Sequence, residues 1–382
     1  CVLLPVNTKS KFQLKYYIIA GEASGDLHAS HLVKEMIAVN PNIEFRGFGG
    51  DKMKAAGVTI AKHYKEMAFM GFTEVVMHLR TILKNINLCK KDIEEYAPDA
   101  IILVDYPGFN FRIAPFAKAL GIKVIWYISP QLWAWNSGRV EKIKTSVDLL
   151  LVILPFEEAF YEQHNFKAHY VGHPLTDHLI TRIRDPFFFR VLNIPEQPAI
   201  AVLPGSRKQE IKRNLDIMLS IASDFRECQF IVACAPGIEK SFYDKFRKEQ
   251  NINYVYNKTY DLLQNSVAAL VTSGTATLET ALLQVPQLVC YKGSVISYII
   301  AKRLIHVKYI SLVNLILGKE AVPELIQFRF SKKYLIPALD RLLYNNDYRM
   351  QMIEDYITLR EKLGEEGASE RAAQKILTFM SS

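Results

Sequence analysis

The chemistry-bearing side chains of this chain fall in short stretches that directly follow apolar runs. In Val104-Asp105-Tyr106-Pro107-Gly108-Phe109-Asn110 a carboxylate comes straight after four apolar residues. At a strand end, partial burial and neighbouring groups can tune such a carboxylate as a general base, so Asp105 is the candidate to take a proton from an attacking hydroxyl. An Asx-type turn ahead of Pro107 is the plainer reading of the same residues. An earlier loop, Gly21-Glu22-Ala23-Ser24-Gly25-Asp26, has two glycines that let the backbone turn tightly, with Ser24 or Asp26 able to cap a following helix. Its spacing is not that of the GxGxxG dinucleotide loop. If Asp105 only orients a substrate, Glu22 or Asp26 is the next candidate base.

In the second half, Leu203-Pro204-Gly205-Ser206-Arg207-Lys208-Gln209-Glu210 has neither the length of a Walker A loop nor the arrangement of a nucleophile elbow. It offers a guanidinium just beyond a strand. Arg207, with Ser206 beside it, can grip two oxygens of a pyrophosphate and stabilise charge as that group leaves; a surface arginine in a turn is the alternative. Thr272-Ser273-Gly274-Thr275-Ala276-Thr277-Leu278-Glu279 reads as a strand end opening into a helix. Amides at Ser273, Gly274 and Thr275 suit phosphate oxygens. Glu279, one turn deeper than Thr275, can accept from the two hydroxyls of a ribose, unless the segment is simply a capped helix start. Trp133 and Trp135 stand two apart in Ser129-Pro130-Gln131-Leu132-Trp133-Ala134-Trp135, where a ring, an acyl chain or the loop's own core must cover them. The nine histidines show no HExxH or other metal spacing, so no metal is expected.

These loops need elements to hold them. Residues 16–20, 101–104, 124–128, 149–154, 199–203, 230–234 and 268–272 are apolar runs without polar alternation, as in parallel strands covered on both faces. Helical periodicity at 81–96, 113–120, 210–225 and 275–283 falls between them, and 333–343, 348–362 and 368–379 follow. The pattern predicts an α/β chain, and 382 residues suit two domains. In doubly wound sheets the ligand lies beyond the carboxyl ends of the strands, where the loops above are. A net charge of +8 draws the chain toward anions, yet no finger, RNP-like run or basic tail favours nucleic acid. Five scattered cysteines, none in a CxxC pair, fit a reducing compartment. The first 15 residues read as a frayed or truncated end. No apolar run reaches 18 residues, so membrane contact is expected to be peripheral. Residues 66–83, apolar on one side with basic residues interleaved, and more weakly 297–313, could lie on an anionic bilayer or face a core.

Taken in order, these loops resemble the lipid-A-disaccharide synthases, inverting glycosyltransferases of the GT-B arrangement. Further markers are Met70-Gly71-Phe72-Thr73-Glu74-Val75, Leu154-Pro155-Phe156-Glu157, Gly172-His173-Pro174 and Tyr309-Ile310-Ser311-Leu312-Val313-Asn314-Leu315. The resemblance implies two Rossmann-like domains with parallel sheets facing a central cleft: an acceptor domain at 16–174, a UDP-sugar donor domain at 175–345, and helices at 346–382 crossing back to the first. It further implies transfer from UDP-2,3-diacylglucosamine to 2,3-diacylglucosamine 1-phosphate, giving a β-1,6-linked disaccharide 1-phosphate and UDP, without a cofactor or metal, by a monomer or homodimer at the cytoplasmic face of an inner membrane. By the same resemblance Asp105 matches the family's essential aspartate, and Arg207, Glu279 and Asn314 match donor-site positions. Tyr106 departs from the alanine that relatives often carry. The rival expectations are a UDP-sugar 2-epimerase, the transferase that adds N-acetylglucosamine to a cell-wall lipid, and a non-catalytic nucleotide-sugar or lipid-binding module.

Overall fold

A computed structural model of the chain describes residues 13–66, 79–135, 137–179, 182–246, 249, 251–293 and 308–382. The chain divides into two compact units. One runs to Pro174 and resumes at Gly367–Ser382; the other is Leu175–Glu366.

The first unit is built on seven strands, β1 (Lys15–Ala20), β2 (Glu44–Gly49), β3 (Val58–His63), β4 (Ala100–Val104), β5 (Lys123–Tyr127), β6 (Leu149–Val152) and β7 (Ala168–Tyr170), in the order β3-β2-β1-β4-β5-β6-β7. All neighbours are parallel. The unbroken apolar runs follow from burial on both faces. Tyr16, Ile18, Ile102 and Val104 enter one core with Leu32, Val33 and Met36 of the helix Ala23–Val39. Tyr17, Ile19, Ile101 and Leu103 enter the other with Ile86, Cys89 and Ile93 of Leu79–Tyr96 and Ile113 and Ala117 of Pro107–Ala119. The chain's last helix, Ala368–Ser381, closes the first of these cores with Ala372, Ala373 and Ile376.

The second unit repeats the plan with β8 (Ala199–Leu203), β9 (Gln229–Cys234), β10 (Ile252–Tyr256), β11 (Ala268–Thr272), β12 (Gln287–Tyr291) and β13 (Glu324–Ile326), ordered β10-β9-β8-β11-β12-β13 and again parallel. Each sheet therefore reverses its winding once, at β1/β4 and at β8/β11. Those are the crevices where a doubly wound sheet receives a ligand.

Some elements differ from expectation. The helix expected from residue 113 begins at Pro107, because Tyr106 turns the chain in a left-handed conformation and proline's fixed φ suits the first helical position. The helix expected over 210–225 is Lys208–Leu219, with a separate 3₁₀ turn at Ala222–Asp224. The span 346–382 divides: Asn346–Leu363 belongs to the second unit and Ala368–Ser381 to the first.

Ile376 is fully buried. Replacing it with alanine is expected to lower the unfolding free energy by about 2–5 kcal/mol, through lost transfer energy and a cavity, as read by urea denaturation. A change within error would mean that the last helix does not close this core.

Candidate active site

In the first unit, Ala20 of β1 pairs with Val104 of β4, so the Gly21-Glu22 turn and the Asp105-Tyr106 turn leave the sheet side by side. Asp105 and Tyr106 both adopt left-handed backbone conformations, with φ of 45° and 47°. The Tyr106 ring lies so close over Gly21 that a Cβ there would sit 2.2 Å from it, and it stacks on Phe109 with centroids 5.6 Å apart. Only glycine lets the two turns meet this closely. The Asp105 carboxyl is pushed up to about 7, chiefly by burial and then by the negative charge of Glu22, with a backbone hydrogen bond at Tyr106 opposing. A carboxyl titrating there is matched to accepting a proton at neutral pH.

The loop after β5 is held by a second buried carboxylate. Glu157 Oε1 accepts from Ser129 Oγ at 3.1 Å and Trp133 Nε1 at 3.2 Å, while Oε2 accepts from the Leu154 and Ile153 amides at 2.9 and 3.2 Å. Burial pushes this carboxyl up to about 7 against those four donors. Trp133, braced edge-on by Phe156, is thus fixed as a partly exposed aromatic wall. The two motifs Ser129–Trp133 and Leu154–Glu157 are one assembly.

In the second unit the loops after β8 and β11 emerge together, since Leu203 pairs with Val271. Gly205 takes φ +114°, and a Cβ there would fall 2.7 Å from Glu210 Oε2. The Ser206 amide donates to that oxygen at 3.3 Å, and the Arg207 guanidinium lies 3.6 Å from Oε1. Arg207 is more than half exposed, so its pairing is weak and readily exchanged for a stronger anion. Alongside it, Ser273 and Gly274 lead into the helix Thr275–Leu282, whose amino terminus suits phosphate oxygens. Ser273 Oγ donates to the Ile310 carbonyl at 2.8 Å and so ties in the 309–311 loop. Further along that helix, Glu279 is partly buried, its Oε1 accepting from the Tyr260 hydroxyl at 3.0 Å. Burial raises its pKa, with the Tyr260 bond opposing.

The family model described as Lipid-A-disaccharide synthetase matches residues 16–379. The chain belongs to that family. Among curated relatives, the lipid-A-disaccharide synthase of Syntrophus aciditrophicus is 42% identical over 95% of this chain and 97% of its own, and that of Geobacter metallireducens is 38% identical over 95% and 96%. The fold is similar to that of a UDP-GlcNAc 2-epimerase from Neisseria meningitidis, solved bound to UDP-GlcNAc, with TM-score 0.62 and 14% identity over 96% of this chain and all of that one. It is likewise similar to the calicheamicin glycosyltransferase CalG4, with TM-score 0.60 and 15% identity over 97% and 99%. The chain is therefore an α/β enzyme of GT-B-like fold, a glycosyltransferase of lipid A disaccharide synthesis.

Two candidates of this synthetase have other work. Asp26 accepts from the amides of Gly50 (2.8 Å), Lys52 and Met53 (both 3.1 Å), so it caps the short helix Asp51–Ala55 and is spent as a base. Asn314, expected in the donor site, is fully buried. Its Nδ2 donates to Val322 O at 2.8 Å and Glu324 Oε1 at 2.9 Å, and its Oδ1 accepts from the Ala321 and Val322 amides. All four of its hydrogen-bonding positions are filled within the chain, so any influence on a donor passes through the loop it fixes. Glu324, Glu210, Tyr260 and Asn110 brace the candidate site without having been given a role. Asn110 and Glu210 close motifs that the sequence displays, whereas Tyr260 and Glu324 lie outside every motif and carry no sequence signal. The marker at 70–75 and residues 297–307 lie outside the described residues, as do most of the apolar stripe at 66–83 and the side chain of Trp135. Among the described residues, no group of three or more His, Cys, Asp or Glu is arranged to hold a metal ion, and no helix is long and apolar enough to cross a membrane.

The Glu22 charge raises the Asp105 pKa, and a base works only when ionised. Activity is thus expected to climb with pH through about 7, and Glu22→Gln should move that acid limb to lower pH. The pH dependence of kcat/KM reads this. An unmoved limb would separate Glu22 from Asp105.

Proposed function

We propose that this enzyme transfers the 2,3-diacylglucosamine unit of UDP-2,3-diacylglucosamine to the 6-hydroxyl of 2,3-diacylglucosamine 1-phosphate, with inversion. The observation that carries the reading is Asp105 at the β1/β4 switch point, a partly buried carboxyl tuned to about 7 beside Glu22. Asp105 takes the acceptor's proton as the oxygen attacks the anomeric carbon. The C–O bond to the α-linked UDP breaks from the opposite side, leaving a β-1,6 linkage, with the electron pair on the departing UDP. Arg207, the Ser206 amide and the helix start at Ser273, Gly274 and Thr275 gather that charge, taking the place a metal ion would have. Glu279 accepts from the ribose hydroxyls. A UDP-sugar on this fold has a precedent in the epimerase solved with UDP-GlcNAc. The acyl chains call for apolar surface, which Trp133 offers.

The surplus of basic residues and the acylated substrates together support a peripheral place on the cytoplasmic face of an anionic inner membrane. Incubation with both acylated substrates, followed by mass spectrometry, should show UDP and a disaccharide 1-phosphate. Asp105→Asn should lower kcat by about 10²–10⁴-fold and Arg207→Ala by about 10²–10³-fold in folded protein. UDP-sugar epimerised at C2 without disaccharide, or near-normal turnover by Asp105→Asn, would overturn the reading.

A further inference from the structure

Asn110 stands in the first turns of the helix Pro107–Ala119 with no exposed surface. Its Nδ2 donates to the backbone carbonyl of Asp105 at 2.6 Å, while its Oδ1 is buried without a hydrogen-bond partner. A buried acceptor left unpaired costs about 1–3 kcal/mol, a cost that an apolar side chain of similar shape avoids. Core stability therefore does not account for an asparagine here.

The bond acts on a strained stretch of backbone. Asp105 and Tyr106 are consecutive non-glycine residues at positive φ, each costing of order 1–3 kcal/mol, and such turns persist only where their surroundings hold them. The Asp105 amide is held by the Tyr127 carbonyl at 3.2 Å, and the Tyr106 carbonyl accepts from the amides of Phe109 and Asn110 at 3.2 and 3.1 Å. The carbonyl between those anchors, that of Asp105, is the one the Asn110 side chain takes. Its orientation sets ψ of Asp105 and φ of Tyr106, and with them the direction in which the Asp105 side chain leaves the turn.

We infer that Asn110 is a positioning residue for the transfer reaction, clamping the left-handed Asp105-Tyr106 turn so that the Asp105 carboxylate is aimed at the acceptor hydroxyl. The inference rests on Asp105 acting as the base. Asn110 itself touches neither substrate, and its effect on rate passes through Asp105.

A double-mutant cycle on the full chain tests this. Asn110→Ala should lower kcat by about tenfold to a hundredfold, the scale of an ångström's misplacement, and leave the KM of both substrates within about twofold. Asn110→Val, which keeps the branched shape and removes the orphaned oxygen, should lose kcat to the same degree while its melting midpoint stays close to that of the parent. It also serves where the alanine variant does not fold. In an Asp105→Asn background neither change should lower the residual kcat further. The inference is overturned by a folded variant with parental kcat, by a fall in melting midpoint with kcat retained, or by an equal loss in both backgrounds. Near-normal turnover of Asp105→Asn alone would remove the base assignment, and the positioning role with it; an impaired Asp105→Asn with additive losses would remove only the positioning role.

Discussion

A carboxyl is raised toward neutrality where water is kept from it or a like charge stands beside it, and both conditions meet at Asp105. They meet because β1 and β4 are neighbours in register, which sends Glu22 and Asp105 off the sheet at the same level. Other parallel neighbours also end level, as Val104 and Tyr127 do, but only where the winding reverses do the connections leave to opposite faces and open a crevice between the two loops. The functional geometry of the first unit is thus a consequence of strand order, and strand order follows from which apolar runs must be covered on both faces.

The second unit uses the same topological position for the opposite electrostatic task. At β8/β11 the loops bring a guanidinium, a serine and a helix amino terminus, all suited to anions, and Glu210 shapes the loop while keeping Arg207 company in a weak, exchangeable pair. The carboxylates that lie deeper have fixed partners. Glu279 is bonded to Tyr260, and Glu324 to Asn314 and the Ile310 and Ser311 amides. Such bonds let negative charge be tolerated in a unit proposed to hold an anionic ligand.

The central strands and the long helices were legible in the sequence, because burial on both faces writes uninterrupted apolar runs. The strands absent from that reading are β2, β3, β7, β10, β12 and β13. β2 carries Gly47, where a Cβ would fall 1.9 Å from the Ile18 carbonyl oxygen; β3 and β10 end their sheets and are mostly half-buried; β7 and β13, at the opposite ends, are only three residues long; and buried β12 opens on the polar Gln287, which shortens its apolar run. Candidate residues in the loops after strands could be read from position alone, and the structure places Asp105 and Arg207 beyond β4 and β8 as expected. The division of labour among polar residues could not. Asp26 and Asn314 have the same chemistry as ligand-binding groups, and only the bonds they make to backbone amides and carbonyls reveal them as braces. Asn110 and Glu157 show the converse, since their importance lies in what they hold.

The claim on which the account stands is that Asp105 is a carboxyl shifted to neutrality by its site. Isotope-edited infrared titration, with ¹³C-labelled aspartate and the spectrum of Asp105→Asn subtracted, reads that carboxyl directly. A single carboxyl whose midpoint lies near 7 is the predicted result, and a midpoint near 4, the ordinary value for an aspartate, would contradict it.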